Sequence, residues 1–228
     1  MRKPSIDQSI PQKLETATFA MGCFWSPDAI FGCMEGIFRT RVGYAGGTTE
    51  NPTYKQLADH IETVQVDFDP QILSFSQLLD FFFDKNTPLR EPWKRQYASA
   101  LFYHDEGQKQ QVLQKKEQLE ERLEQKVYTE LNSYQEFYLA EERHQKYKLQ
   151  RQPELLEEFR SMYPSFREFI DSTAAARVNG YLYGCGNCER LSSEIESFGL
   201  SARGQKILLD TATNAAGLAC SKVLKQHS

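Results

Sequence analysis

At 228 residues the chain has room for one large domain, or for one domain with an extension. Its 40% apolar and 12% aromatic content supports a substantial core and excludes a disordered chain. A formal net charge of −4 leaves no basic footprint for nucleic acid or anionic lipid, and no apolar run approaches a membrane span.

Residues 1–13 read as a polar, loosely ordered arm. No apolar stretch follows its basic pair, so no secretory leader is expected and the cytosol is the expected compartment. ATFAMG (17–22) has the length and composition of a buried strand that stops at Gly22. Ser26-Pro27 offers a cap and a first-turn proline, and Gly36 a stop, so a helix is expected over 27–35. RTRVGYAGG (39–47) reads as a strand entering a glycine turn, and 51–62 as loop with a short helical turn. TVQVDFDP (63–70) alternates, placing Val64, Val66 and Phe68 on one face. A helix opens at Ser74, a strand covers 98–104, and a charged helix runs from Asp105 to Lys126. Residues 128–131 suit a strand, 137–163 read as helix-rich, and the last forty residues as a helical appendix. The mixture lacks a βαβ rhythm and describes an α+β domain with a C-terminal extension.

Five cysteines at 23, 33, 185, 188 and 220 are too scattered for a disulfide framework. Cys23 ends the first strand just before a helix start, where backbone N–H groups and the helix dipole favour a thiolate with a lowered pKa. Phe24 and Trp25 beside it suit a rim that accepts a small apolar group such as a methyl. Glu62 shares the parity of Val64, Val66 and Phe68, so its carboxyl is expected on the buried side, with a raised pKa suited to donating a proton. A solvent-facing strand end is the competing reading of that position. Cys185 and Cys188 form a C-x-x-C in a glycine-bearing segment. A redox pair is favoured over half a zinc site, because Cys220 is distant and His144 lies in a helix-rich stretch. Cys33 is read as structural.

GCFW (22–25), GYAGG (43–47), NPTY (51–54), His60-x-Glu62 leading into VQVDFDP, QYASALFY (96–103) and FYLAEERHQKY (137–147) together resemble the A-type peptide methionine sulfoxide reductases over about residues 17–150. The resemblance implies a ferredoxin-like two-layer α+β sandwich with a mixed sheet over 14–178, with 179–228 as an extension carrying the C-x-x-C. It implies Cys23 as nucleophile and Phe24 and Trp25 as the holders of the sulfoxide methyl. Glu62 and Tyr54 then protonate and hydrogen-bond the sulfoxide oxygen, and Tyr97 is the second pocket tyrosine. No cofactor or metal is expected, and the implied partners are methionine S-sulfoxide, free or in proteins, and a thioredoxin-like reductant. Capture of a Cys23 sulfenic acid by Cys185 or Cys188 rests on the C-x-x-C alone. One departure stands out: NTPLREPWKRQY (86–97) is shorter than the family's corresponding stretch and has Pro92 where an aspartate is usual, leaving Glu91 as the nearest acid. That departure motivates the alternative of a methionine-sulfoxide-binding or redox-sensing module with weakened catalysis.

Overall fold

The computed structural model describes residues 3–86 and 88–216. Six strands, β1 (Glu15–Met21), β2 (Ile37–Ala45), β3 (Ile61–Phe68), β4 (Ser99–Tyr103), β5 (Thr129–Ser133) and β6 (Phe137–Leu139), form one mixed sheet in the order β5-β4-β1-β3-β2-β6. Every pairing is antiparallel except β4 with β5. Helices α1 (Trp25–Gly32), α2 (Phe75–Lys85) and α3 (Glu106–Leu123) alternate with the strands, and α4 (Tyr147–Gln150), α5 (Pro153–Met162), α6 (Phe166–Ile170), α7 (Thr173–Tyr183), α8 (Cys188–Glu194) and α9 (Ala202–Ala216) follow them. The result is an α+β molecule. No helix among the described residues is long and apolar enough to cross a membrane.

The first core lies between the sheet and α1 to α3. Phe19 of β1 stacks on Phe31 of α1 and on Phe82 of α2, with ring centroids 5.1 and 5.6 Å apart. Val64, Val66 and Phe68 of β3 complete it, so the alternation read in that segment does mark the helix-covered face. The helix starts follow from capping chemistry: Ser74 and Gln77 form a capping box at α2, and Asp105 accepts from the Gln108 N–H at α3. A second core gathers Leu155 and Phe159 of α5, Val178 and Tyr181 of α7, and Leu191, Phe198 and Leu208 beyond them. The C-terminal segment therefore shares buried surface with the helices before it.

Three local expectations are corrected. The N-terminal arm is tied down: Ser5–Gln8 makes a 3-10 turn, and buried Asp7 accepts hydrogen bonds from the Tyr163 hydroxyl and the Ala174 N–H. α1 begins at Trp25 rather than Pro27, with Phe24 as its N-cap and no side chain capping it, because the turn after Gly22 is already helical at Phe24. The helix-rich stretch from 137 opens as strand β6, whose Phe137–Leu139 pairs with Gly43–Ala45 at the edge of β2.

Candidate active site

Gly22 has φ of +79° with open space where a side chain would stand, so the turn requires glycine for its backbone and not for room. That turn leaves Cys23 exposed at the start of α1. The expected lowering of its pKa is not what the surroundings produce. Partial burial pushes the thiol up, a hydrogen bond from the Trp25 backbone pulls it back, and the nearby Glu62 carboxylate pushes it up again. One helix N-terminus is outweighed by lost water and a like charge.

Glu62 is 1% exposed on the helix-covered face of β3. Its two oxygens are separately held: the Phe24 N–H donates to Oε2 over 3.1 Å, and Gln96 Nε2 donates to Oε1. Burial raises its pKa, against the opposing pull of Gln96, the Phe24 N–H and the charge of Lys94. The bond from Phe24 also ties the Glu62 carboxyl, carried on β3, to the backbone of the turn that holds Cys23.

The aromatic walls meet around His144, which is buried. Phe24 and Tyr54 approach its ring at 5.4 and 4.7 Å, and Trp25 Nε1 donates to His144 Nδ1 over 3.3 Å. Trp25 lies flat on Tyr147 with centroids 3.7 Å apart. Phe24 and Trp25 thus diverge from the turn and meet again through the imidazole. Burial and the neighbouring Arg143 charge depress the His144 pKa, with Glu141 opposing, and because Nδ1 accepts from Trp25 the neutral ring carries its proton on Nε2, 3.8 Å from Glu141 Oε2. Burial works to raise the Glu141 carboxyl, but hydrogen bonds from the Tyr44 hydroxyl (2.7 Å) and the Tyr54 N–H (3.1 Å) hold it low. Tyr97 comes from the 3-10 turn before β4. Burial and a hydrogen bond to Tyr54 push its pKa up to about 12, with Glu62 and Cys23 adding to the effect.

Cys23, Phe24, Trp25, Tyr54, Glu62 and Tyr97 are therefore brought together. Gln96, Glu141, His144 and Tyr147 belong with them and carried no assignment in the sequence reading. Gln96 sits beside Tyr97, and the other three lie within AEERHQKY, the only available signal. Glu91 is exposed and lines a groove that adjoins Gly22 and Tyr97.

The tail cysteines are elsewhere. Cys33 caps the far end of α1, which at 1.5 Å per residue stands about 12 Å from its start. Cys33 is not merely structural filler, because it faces Cys185 and donates its S–H to that sulfur. The hydrogen bond and burial push Cys33 up, while the same bond holds Cys185 low, with Lys85 assisting. Cys188 is disulfide-bonded, whereas Cys23, Cys33 and Cys185 are free, so the expected Cys185–Cys188 pair is not formed in this structure. Cys220 lies outside the described residues.

An exposed cysteine joined through a backbone amide to a buried acid, between aromatic walls, defines a thiol oxidoreductase that reads a small apolar and polar group together. Residues 15–177 match the family described as peptide methionine sulfoxide reductase. The chain is 44% identical over 188 residues to the peptide methionine sulfoxide reductase of Drosophila melanogaster, covering 82% of this chain and 75% of that one. It is similar in fold to methionine sulfoxide reductase A of Corynebacterium diphtheriae (TM-score 0.55, 26% identity, covering 67% of this chain and 83% of that one). It also resembles the reduced form of Mxr1 from Saccharomyces cerevisiae (TM-score 0.58, 29% identity, covering 63% and 88%). The chain belongs to the peptide methionine sulfoxide reductase family, and it is an oxidoreductase acting on methionine sulfoxide.

Proposed function

We propose that Cys23 attacks the sulfur of a methionine S-sulfoxide while Glu62 delivers a proton to the sulfoxide oxygen. The substrate sulfur gains two electrons and leaves as methionine; Cys23 loses two and keeps the oxygen as a sulfenic acid. Phe24 and Trp25 hold the methyl, and the hydrogen-bonded Tyr54 and Tyr97 receive the oxygen. The observation that carries this reading is the Phe24 N–H to Glu62 bond, which fixes the acid beside the nucleophile. The sulfenic acid condenses with a tail thiol, releasing water and leaving a disulfide. Cys185, whose pKa is lowered by the hydrogen bond it accepts from Cys33, lies three residues before the disulfide-bonded Cys188. It is the thiol suited to attack Cys188 in that disulfide, releasing Cys188's former partner as a thiol and presenting a Cys185–Cys188 bond to a thioredoxin-like dithiol.

The order β4-β1-β3-β2 within the sheet, with α1 and α2 as crossovers, supports a ferredoxin-like two-layer core. We read 14–178 as the catalytic unit and 179–228 as an extension whose described part packs on it, and a reducing cytosol as the compartment that keeps Cys23, Cys33 and Cys185 free. The test is turnover of methionine S-sulfoxide with dithiothreitol as reductant. The wild type turns over and Cys23→Ser does not; a wild type that binds the sulfoxide without turnover overturns the reading in favour of a binding module.

A further inference from the structure

Beside the pocket, a groove of about 750 Å³ runs under the shortened 86–97 segment, lined by Met21, Pro88, Leu89, Pro92, Trp93 and Tyr97 among others. That volume is far more than one methionine side chain needs and is in the range of sites that hold a ligand of several groups. Trp93 is 83% exposed, an extreme position for the side chain that gains most from leaving water. It is not adrift. Its ring lies 5.3 Å from that of Tyr97, whose hydroxyl meets Tyr54 inside the pocket, so groove and pocket share one aromatic wall. The floor passes through Met21 and Gly22, the residues that lead into Cys23, and no described residue besides its chain neighbours comes within 4 Å of where a Gly22 side chain would stand.

The segment is anchored at both ends. The Tyr128 N–H donates to the Pro88 carbonyl over 2.8 Å, Asn86 Nδ2 donates to Ser99 Oγ over 2.7 Å, and at the other end Arg95 Nε donates to the Asp59 carbonyl over 3.3 Å. Pro88 and Pro92 restrict the backbone between these anchors. A tryptophan presented on a fixed loop beside a reactive centre has the character of a binding anchor.

We infer that this groove is a specificity subsite for oxidised polypeptide: a bulky apolar side chain flanking the sulfoxide methionine lies on Trp93 and Leu89 while the sulfoxide enters the pocket. The inference rests on the reductase reading for what occupies the pocket. It adds a polypeptide that continues out of the pocket along its shared wall, and it names Trp93 as the residue that distinguishes apolar from small flanks.

The test separates the two readings by measuring binding and turnover independently. Calorimetry on the Cys23→Ser variant compares pentapeptides carrying central methionine S-sulfoxide with leucine or with glycine on both sides. Turnover of free methionine S-sulfoxide is followed with enzyme that retains Cys23. The leucine-flanked peptide binds roughly 10–100-fold tighter than the glycine-flanked one, the range expected of an apolar anchor. Adding Trp93→Ala removes most of that preference, and Leu89→Ser weakens it. In the Cys23-containing enzyme, Trp93→Ala leaves turnover of the free amino acid within about twofold, because a rim anchor adds uniform binding to the flank alone. Equal binding of the two peptides, or a preference that survives Trp93→Ala, overturns the subsite. Absence of turnover with both the free sulfoxide and the sulfoxide peptides strikes the reductase reading and leaves the binding comparison intact.

Discussion

Glu62 is pulled in two directions. Burial favours its protonated form, while the Phe24 N–H and Gln96 favour the carboxylate. As the proposed proton donor it works only while protonated, so its contribution falls as pH rises through its raised pKa. Glu62→Gln is expected to slow single-turnover reduction by about 10²–10⁴-fold, with substrate binding changed much less. Gln96→Ala removes a donor that favours the charged form, so the pKa climbs further and the alkaline limb of kcat/KM moves to higher pH. A limb that stays put would mean the titrating acid is another group. His144 carries the opposite sign. Its native pKa is depressed, so the unfolded chain binds its proton first, near the ordinary value of about 6.5. Its stabilising contribution is complete above that pH and is lost as pH falls through the depressed native value. The stability of His144→Asn, measured by denaturant unfolding at several pH values, should therefore fall less steeply than that of the wild type below about 6.5. Residue types and spacing exposed Cys23 and Glu62, but not His144, because a histidine whose partners are three aromatics distant in sequence has no local pattern to betray it.

At the scale of elements, the site depends on how α1 is held. Asp28 in its first turn is fully buried, with Lys146 Nζ 3.2 Å away, the Lys146 N–H at 2.9 Å, Asn179 Nδ2 at 3.3 Å and Thr40 Oγ1 also donating. Burial lowers the Lys146 pKa, and Asp28 is the charge that opposes this. Asp28→Ala leaves that ammonium buried and uncompensated, and chemical denaturation should show a loss of about 3–5 kcal/mol. Gly180 inside α7 gives a sharper test. Replacing a helix-interior glycine by alanine ordinarily gains about 1 kcal/mol. Here a Cβ would stand 2.6 Å from the Ala29 carbonyl and 2.7 Å from Cys33 Sγ, so α1 and α7 touch only because the side chain is missing. Gly180→Ala should destabilise by about 1–3 kcal/mol instead, and a stabilised variant would show that the two helices slide apart freely. Neither contact is visible in periodicity. The strands at 15–21 and 61–68 and the helices at 75–85 and 106–123 were legible because alternation, Ser74 and Asp105 are local signals. Strand β6 and the buried N-terminal turn were not, since pairing with β2 and the Asp7–Tyr163 bond join distant parts of the chain.

At the scale of the whole molecule, the proposed reaction has two ends. Cys23 stands just before α1, while Cys33 at its close faces Cys185, on the side where the C-terminal segment packs. The C-x-x-C spacing was legible, but the approach of Cys33 to Cys185 was not, because it depends on where α7 ends against α1. With thioredoxin as sole reductant, Cys185→Ser should complete one turnover and stall, while dithiothreitol, small enough to reach inner disulfides, keeps it cycling. Multiple turnover of the variant with thioredoxin would remove Cys185 from the outward path. Everything in the proposed reaction follows from which sulfur takes the oxygen. Pre-reduced protein is mixed with methionine S-sulfoxide without reductant, in the presence of a nucleophilic sulfenic-acid trap, and the cysteines are mapped by peptide mass spectrometry. The trap is predicted on Cys23, with about one methionine released per chain and none from Cys23→Ser. Trapping at Cys33 or Cys185 with Cys23 still a free thiol, or methionine release from Cys23→Ser, would contradict it.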